Sequence, residues 1–257
     1  MTEDTQGAQE AVFSEVIQVP SRGKFYGGLL PDGMITLRVI TVKEEKIMAG
    51  AKNRMTAMDR ILERCMVKCP IPLKDLLITD KFYLLLSLRS ISYGSDYQYE
   101  IPCAACGIKF KQTVELVKGL QVTMASDDDT EPFDVLLPVT KKTVSLRFLR
   151  GTDEADILKY VEQLGRNQTG MAEDEDPSYE FRLSKHITAI DGKELDSLQR
   201  LHFVEKLTGK DSLEMRRAIG KRETGASMGV STRCPACGHT SDILLPITSD
   251  FFPAGVS

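Results

Sequence analysis

The sequence predicts an α+β protein: an N-terminal core of strands and helices, an inserted β-hairpin with a small helical bundle, and two cysteine-tipped β-hairpins. Three observations predict it. Two Cys-x-x-Cys knuckles, Cys103-Ala-Ala-Cys106 and Cys234-Pro-Ala-Cys237, each lie between strand-like runs. Alternating apolar residues give way to stripes at three- and four-residue steps, the periods of strand and helix. Residues 107–233 separate the knuckles, enough chain for a folded insertion.

Composition narrows the classes. At 257 residues the chain can bury a sizeable core. Charged residues make up 27% and the net charge is −4, from 33 Lys+Arg against 37 Asp+Glu. That balance argues against general nucleic-acid binding, which needs a basic surface. No apolar run approaches the roughly 18–20 residues of a membrane span. The acidic, polar start is unlike a secretory signal, so synthesis in a reducing cytosol is expected. Three histidines leave few candidates for histidine-based catalysis.

In chain order, residues 1–11 read as a flexible start. Residues 12–19 alternate as a strand or extended arm. Pro20 to Gly28 is a glycine-rich loop carrying Arg22, Phe25 and Tyr26, read either as a turn with aromatics folded under a sheet or as a docking loop. It lacks the phosphate-loop pattern. Ile35, Leu37 and Val39 alternate as a strand. Thr41 and Glu44 form a capping box opening a helix over 43–65, with Ile47, Ala51, Met55, Met58, Leu62 and Cys65 as its stripe. Cys65 and Cys69, near that helix end, are expected to be buried free thiols.

Thr79 or Asp80 caps the next helix, 81–91. It is apolar nearly all round, so it is expected to be buried, and its Arg89 needs a carboxylate or carbonyl partner. Strands flank the first knuckle at 97–101 and 108–114. These segments, 12–119, form the core with 224–257.

The insertion, 120–223, opens with a strand at 120–124. An acidic loop over 126–131 follows, without calcium-loop spacing. Residues 133–138 and 143–150 read as a hairpin. Four helices follow: one through Ile157, Leu158, Val161 and Leu164; one from Tyr179 to Ile190, stopped by Asp191-Gly192; one ended by Gly209; and one through Met215 and Ile219 bearing Arg216, Arg217, Lys221 and Arg222. A polar linker spans 167–176. Short connections suggest a small bundle. Strands at 227–232 and 240–245 flank the second knuckle. The apolar tail carries Phe251 and Phe252, expected to dock on this chain or a neighbour.

The knuckles carry the chemistry. A two-residue gap lets both thiolates of a knuckle reach one ion, and the glycine after each second cysteine, Gly107 and Gly238, permits a left-handed turn. Cys103, Cys106, Cys234 and Cys237 together supply the four sulfurs of a closed structural zinc site. A redox dithiol, a disulfide pair or an iron–sulfur cluster are the alternatives; two matching strand–knuckle–strand contexts favour Zn2+. Ordinary ribbons space their pairs by about 15–20 residues. The zinc ribbon here is split, with the insertion clamped at its base. His239, beside the second knuckle, is a minor candidate to replace one cysteine.

Three stretches resemble the baseplate hub proteins of contractile-tailed, T-even-like bacteriophages. They are Pro20-Ser-Arg-Gly-Lys-Phe-Tyr26; Asp80 to Arg89 with Ser92-Tyr-Gly94 and the first knuckle; and the second knuckle with its Pro-Ile-x-x-Asp-Phe-Phe close. The resemblance implies a structural or assembly role in the virion's tail baseplate, among other tail proteins, and no catalysis. Consistently, the residues offer no nucleophile–base pair, paired carboxylates or nucleotide loop. Arg22, Phe25, Tyr26, Phe251 and Phe252 are the expected partner contacts. An assembly chaperone that leaves before maturation, and a zinc-ribbon nucleic-acid adaptor, are the competing classes. The knuckle tips, Ala104-Ala105 and Pro235-Ala236, lack the basic and aromatic groups an adaptor needs.

Overall fold

The computed structural model describes residues 13–167, 176–247 and 251–253. The expected flexible start and most of the polar linker lie outside the described residues. The fold is α+β, with helices packed on several small antiparallel sheets.

Strands β1 (Ser14–Gln18), β2 (Met34–Arg38) and β3 (Met66–Lys68) form the first sheet, in that order. Ile35 and Leu37 point inward and are fully buried, as their alternation demands. The long helix expected over 43–65 is two helices, α1 (Val42–Ala49) and α2 (Arg54–Cys65). Thr41 and Glu44 make the expected capping box. Gly50 then weakens the helix, and the Asn53 side chain accepts from Thr56 N–H at 3.2 Å, starting a new one. The apolar stripe is buried at Met58, Leu62 and Cys65, whereas Met55 is exposed. Cys69 lies beyond β3, so the two thiols share no helical face; Cys65 is buried and Cys69 half-buried.

A helical turn at Leu73–Asp75 precedes α3 (Ile78–Tyr93). Neither Thr79 nor Asp80 caps α3: it starts three residues earlier than expected, after Leu77, without a side-chain cap. Asp80 instead turns into the core. Its carboxylate accepts from Ser21 N–H at 3.0 Å, from the Ser21 hydroxyl, and from the Tyr26 hydroxyl at 2.7 Å. Arg89 takes a carbonyl partner, Gly94 O, at 2.8 Å. Past Gly94, β4 (Asp96–Pro102) and β5 (Lys109–Glu115) form the hairpin bearing the first knuckle.

The insertion begins with β6 (Val122–Thr123), then β7 (Phe133–Leu136), β8 (Thr143–Leu146) and α4 (Gly151–Asn167). After α5 (Tyr179–Lys185) the expected helix ends, and Ile187–Ile190 forms β9, hydrogen-bonded to β8. Its β-branched ends suit a strand. Asp191 and Gly192, at φ 50° and 75°, make the tight reversal into β10 (Lys193–Glu194). The hairpin therefore grows into a sheet ordered β10-β9-β8-β7, replacing part of the expected bundle. Helices α6 (Ser197–Glu205) and α7 (Gly209–Arg222) follow. Gly209 opens α7 rather than ending its predecessor, because Thr208 caps Asp211 N–H at 3.2 Å.

The chain returns through β11 (Gly225–Ala226), paired antiparallel with β6. The knuckle-bearing hairpin of β12 (Gly229–Arg233) and β13 (Thr240–Leu244) follows. The β6–β11 pairing closes the insertion without the cysteines. Further ties dock it on the start of α3 and the turn before it: Ile78 N–H donates to Leu149 O and Gly151 N–H to Leu76 O, each at 3.0 Å. Lys81 pairs with Glu154. One buried apolar cluster runs through core and insertion, from Val19 to Phe252.

Candidate metal centre

Each knuckle is built from its own hairpin by the same hydrogen bonds. Cys103 N–H donates to Ile108 O and Gly107 N–H to Cys103 O, both at 2.9 Å. In the second, Cys234 N–H donates to His239 O and Gly238 N–H to Cys234 O, again at 2.9 Å. Gly107 and Gly238 share a φ of 73°, the left-handed turn that a side chain would strain.

The two knuckles meet. All four sulfurs lie within 4.8 Å of one another. Cys103 Sγ stands 3.6 Å from Cys237 Sγ, and Cys106 Sγ 3.8 Å from Cys234 Sγ. Sulfurs about 2.3 Å from a central ion form a tetrahedron with edges of about 3.8 Å. The donor set thus fits one tetrahedral ion, is too far apart for disulfides at about 2.05 Å, and is too close to enclose a multi-iron cluster. Cys103 and Cys234 are buried, Cys106 and Cys237 exposed. His239 is not part of this candidate ligand group. His239 contributes backbone instead.

Two thiols of the group are shifted in opposite directions. Backbone N–H groups of Cys106 and Ala105 pull the Cys103 thiol down to about 6. Cys237 gains from the His239 backbone, but the sulfurs of Cys106, Cys103 and Cys234 outweigh it and push the thiol up to about 12. Thiols this close cannot all ionise on their own, because each thiolate disfavours charge on its neighbours; a bound cation would remove that penalty.

The expected contact aromatics sit elsewhere, in this chain's own core. Phe25 and Tyr26 are buried; Phe25 packs on Phe148 at 5.1 Å between ring centroids. Phe251 and Phe252 are 1% and 2% exposed, and Phe251 stands edge-on to Tyr97 at 5.4 Å. Of the two readings the sequence allowed, Phe25 and Tyr26 take the folded-under one, and Phe251 and Phe252 dock on this chain. Arg22 alone of the five stays exposed, paired with Asp127 at 3.1 Å. Sequence reasoning gave Asp80 a capping role and missed the pairing of the Ser21–Tyr26 loop with it.

A family model described as T4 bacteriophage base plate protein matches residues 16–253. The chain belongs to that family. Searches of the curated proteins and of the solved structures returned no match. Membership gives this base plate protein a structural role in the phage tail, among other tail proteins. No helix among the described residues is long and apolar enough to cross a membrane.

Proposed function

We propose that this base plate protein is a zinc-bound structural component at or beside the hub of a contractile tail, working through protein–protein contacts. The observation that carries the reading is the four-sulfur group, with 3.6 and 3.8 Å edges between two hairpins far apart in sequence. Cys103, Cys106, Cys234 and Cys237 would hold one Zn2+, which supplies a closed four-thiolate cross-link and no open catalytic position. The chain's own part is to orient the ligands: each knuckle's backbone turn aims its thiols, and β4–β5 and β12–β13 hold the turns together. The split ribbon then fixes the hairpins against each other, while the fold between them presents a rigid surface to neighbours. Exposed Arg22 remains a candidate contact on that surface.

Quantitative mass spectrometry of purified virions tests the role. A fixed ratio of this chain to other base plate proteins is expected. Its absence from mature particles contradicts a virion component and leaves a transient assembly chaperone.

A further inference from the structure

Arg89, on the last turns of α3, is 7% exposed. Its Nη1 donates to Gly94 O, and its guanidinium lies 5.4 Å from the centroid of the Tyr93 ring. Its Nε has no hydrogen-bond partner among the described residues. Arg38, Arg147 and Arg150 are more exposed, yet each pairs with a carboxylate; no described carboxylate pairs with Arg89. Burying a guanidinium without a counter-charge is unfavourable. Desolvation accordingly pushes its pKa down.

Arg89 also lines a cavity of about 840 Å³. Five successive residues of β4, 96–100, line the same cavity, with Lys111 and Pro253 across it. Asp96, Glu100 and Lys111 are exposed, and Glu100 faces Lys111 in the β4–β5 register. Arg89 thus borders a cavity whose rim carries both charges.

We propose that Arg89 is the seat of a carboxylate-binding site, filled in the assembled tail by an aspartate or glutamate on an extended segment of a neighbouring base plate chain. A planar carboxylate matches the fork of a guanidinium. The Asp96 and Glu100 rim disfavours a polyanion such as nucleic acid. Five successive residues of β4 line the cavity, so an extended segment can lie along that strand. The neighbour's identity rests on the base plate reading, but the carboxylate site does not.

Two measurements test it separately. In NMR spectra of the zinc-loaded full chain, the Arg89 Nε–H signal is expected to shift saturably with sodium acetate and not with sodium chloride at equal ionic strength. The signal of Arg150, already paired with Glu131, serves as the unresponsive control. Arg89→Lys keeps the charge and loses the fork, so its protein, checked by melting and metal content, is expected to bind acetate about tenfold more weakly. No saturable shift, or an equal response to chloride, overturns the site. In assembled particles, a photo-cross-linking residue at Thr113, on the cavity wall, is expected to capture an Asp- or Glu-containing segment of another base plate chain. Cross-links confined to this chain overturn the partner.

Discussion

The Tyr26 hydroxyl donates to Asp80 Oδ2 at 2.7 Å and accepts from Leu77 N–H at 3.0 Å. With Ser21 it binds the loop after β1 to the start of α3, and so joins two of the stretches that carry the family resemblance.

Tyr26→Phe is expected to cost about 2 kcal/mol, because it removes a donor from a buried carboxylate and an acceptor from Leu77. The cost depends on pH. Burial pushes Asp80 above the ordinary carboxylate range, while bonds from Ser21 and Tyr26 oppose that rise. The folded state therefore binds the Asp80 proton more tightly than the unfolded state, and stability from this group falls as pH rises through its folded pKa. Losing the Tyr26 donor raises that pKa further. The mutant's deficit in urea melts should shrink as the pH is lowered; a deficit that grows on acidification contradicts the account.

Glu44 behaves oppositely. Its carboxylate, hydrogen-bonded foremost by Arg38 and also by Thr41, is held down to about 2. Its contribution is fully present above the unfolded value of about 4.3 and is lost as pH falls through 2. Glu44→Gln should destabilise the protein by about 2 kcal/mol at pH 7. Wild type and mutant should converge only as the pH falls to about 2. Chemical denaturation across pH 2–7 checks both statements.

Arg150 ties the insertion to the N-terminal loop. It donates to Phe25 O at 3.0 Å and pairs with Glu131 at 2.6 Å. Arg150→Met leaves Glu131 largely buried without its counter-charge, a loss of about 3 kcal/mol. Hydrogen exchange should rise first at 147–153 and around Phe25. Uniform loss of protection across the chain contradicts this docking role.

The knuckles were legible because their chemistry is local: two cysteines, a fixed gap and a following glycine. The Thr41–Glu44 box was legible for the same reason. Ile187 and Ile190 were not, since a three-residue step fits a helix face as well as a short buried strand. Asp191-Gly192 was the overlooked hairpin signal. Burial of Phe25, Tyr26, Phe251 and Phe252 is set by residues distant in sequence, Phe148 and Tyr97 among them. The sequence also suggested that the insertion hangs on the metal. The β6–β11 pair and the contacts to α3 give it anchors of its own.

Those anchors set the order of failure in Cys234→Ser. Limited proteolysis should cut first at the knuckle hairpins, within 102–110 and 232–241. The sheet of β7 to β10 should stay intact. Early cuts within 133–146 would show that the insertion depends on the cysteine group after all.

The most direct test of the central claim is the metal content of folded protein purified without chelator. A structural zinc contributes roughly 10–16 kcal/mol of apparent binding energy at neutral pH, so it should survive purification. One zinc per chain is expected, falling towards zero in Cys234→Ser. Folded wild-type protein that holds no metal, or holds iron in place of zinc, contradicts the account.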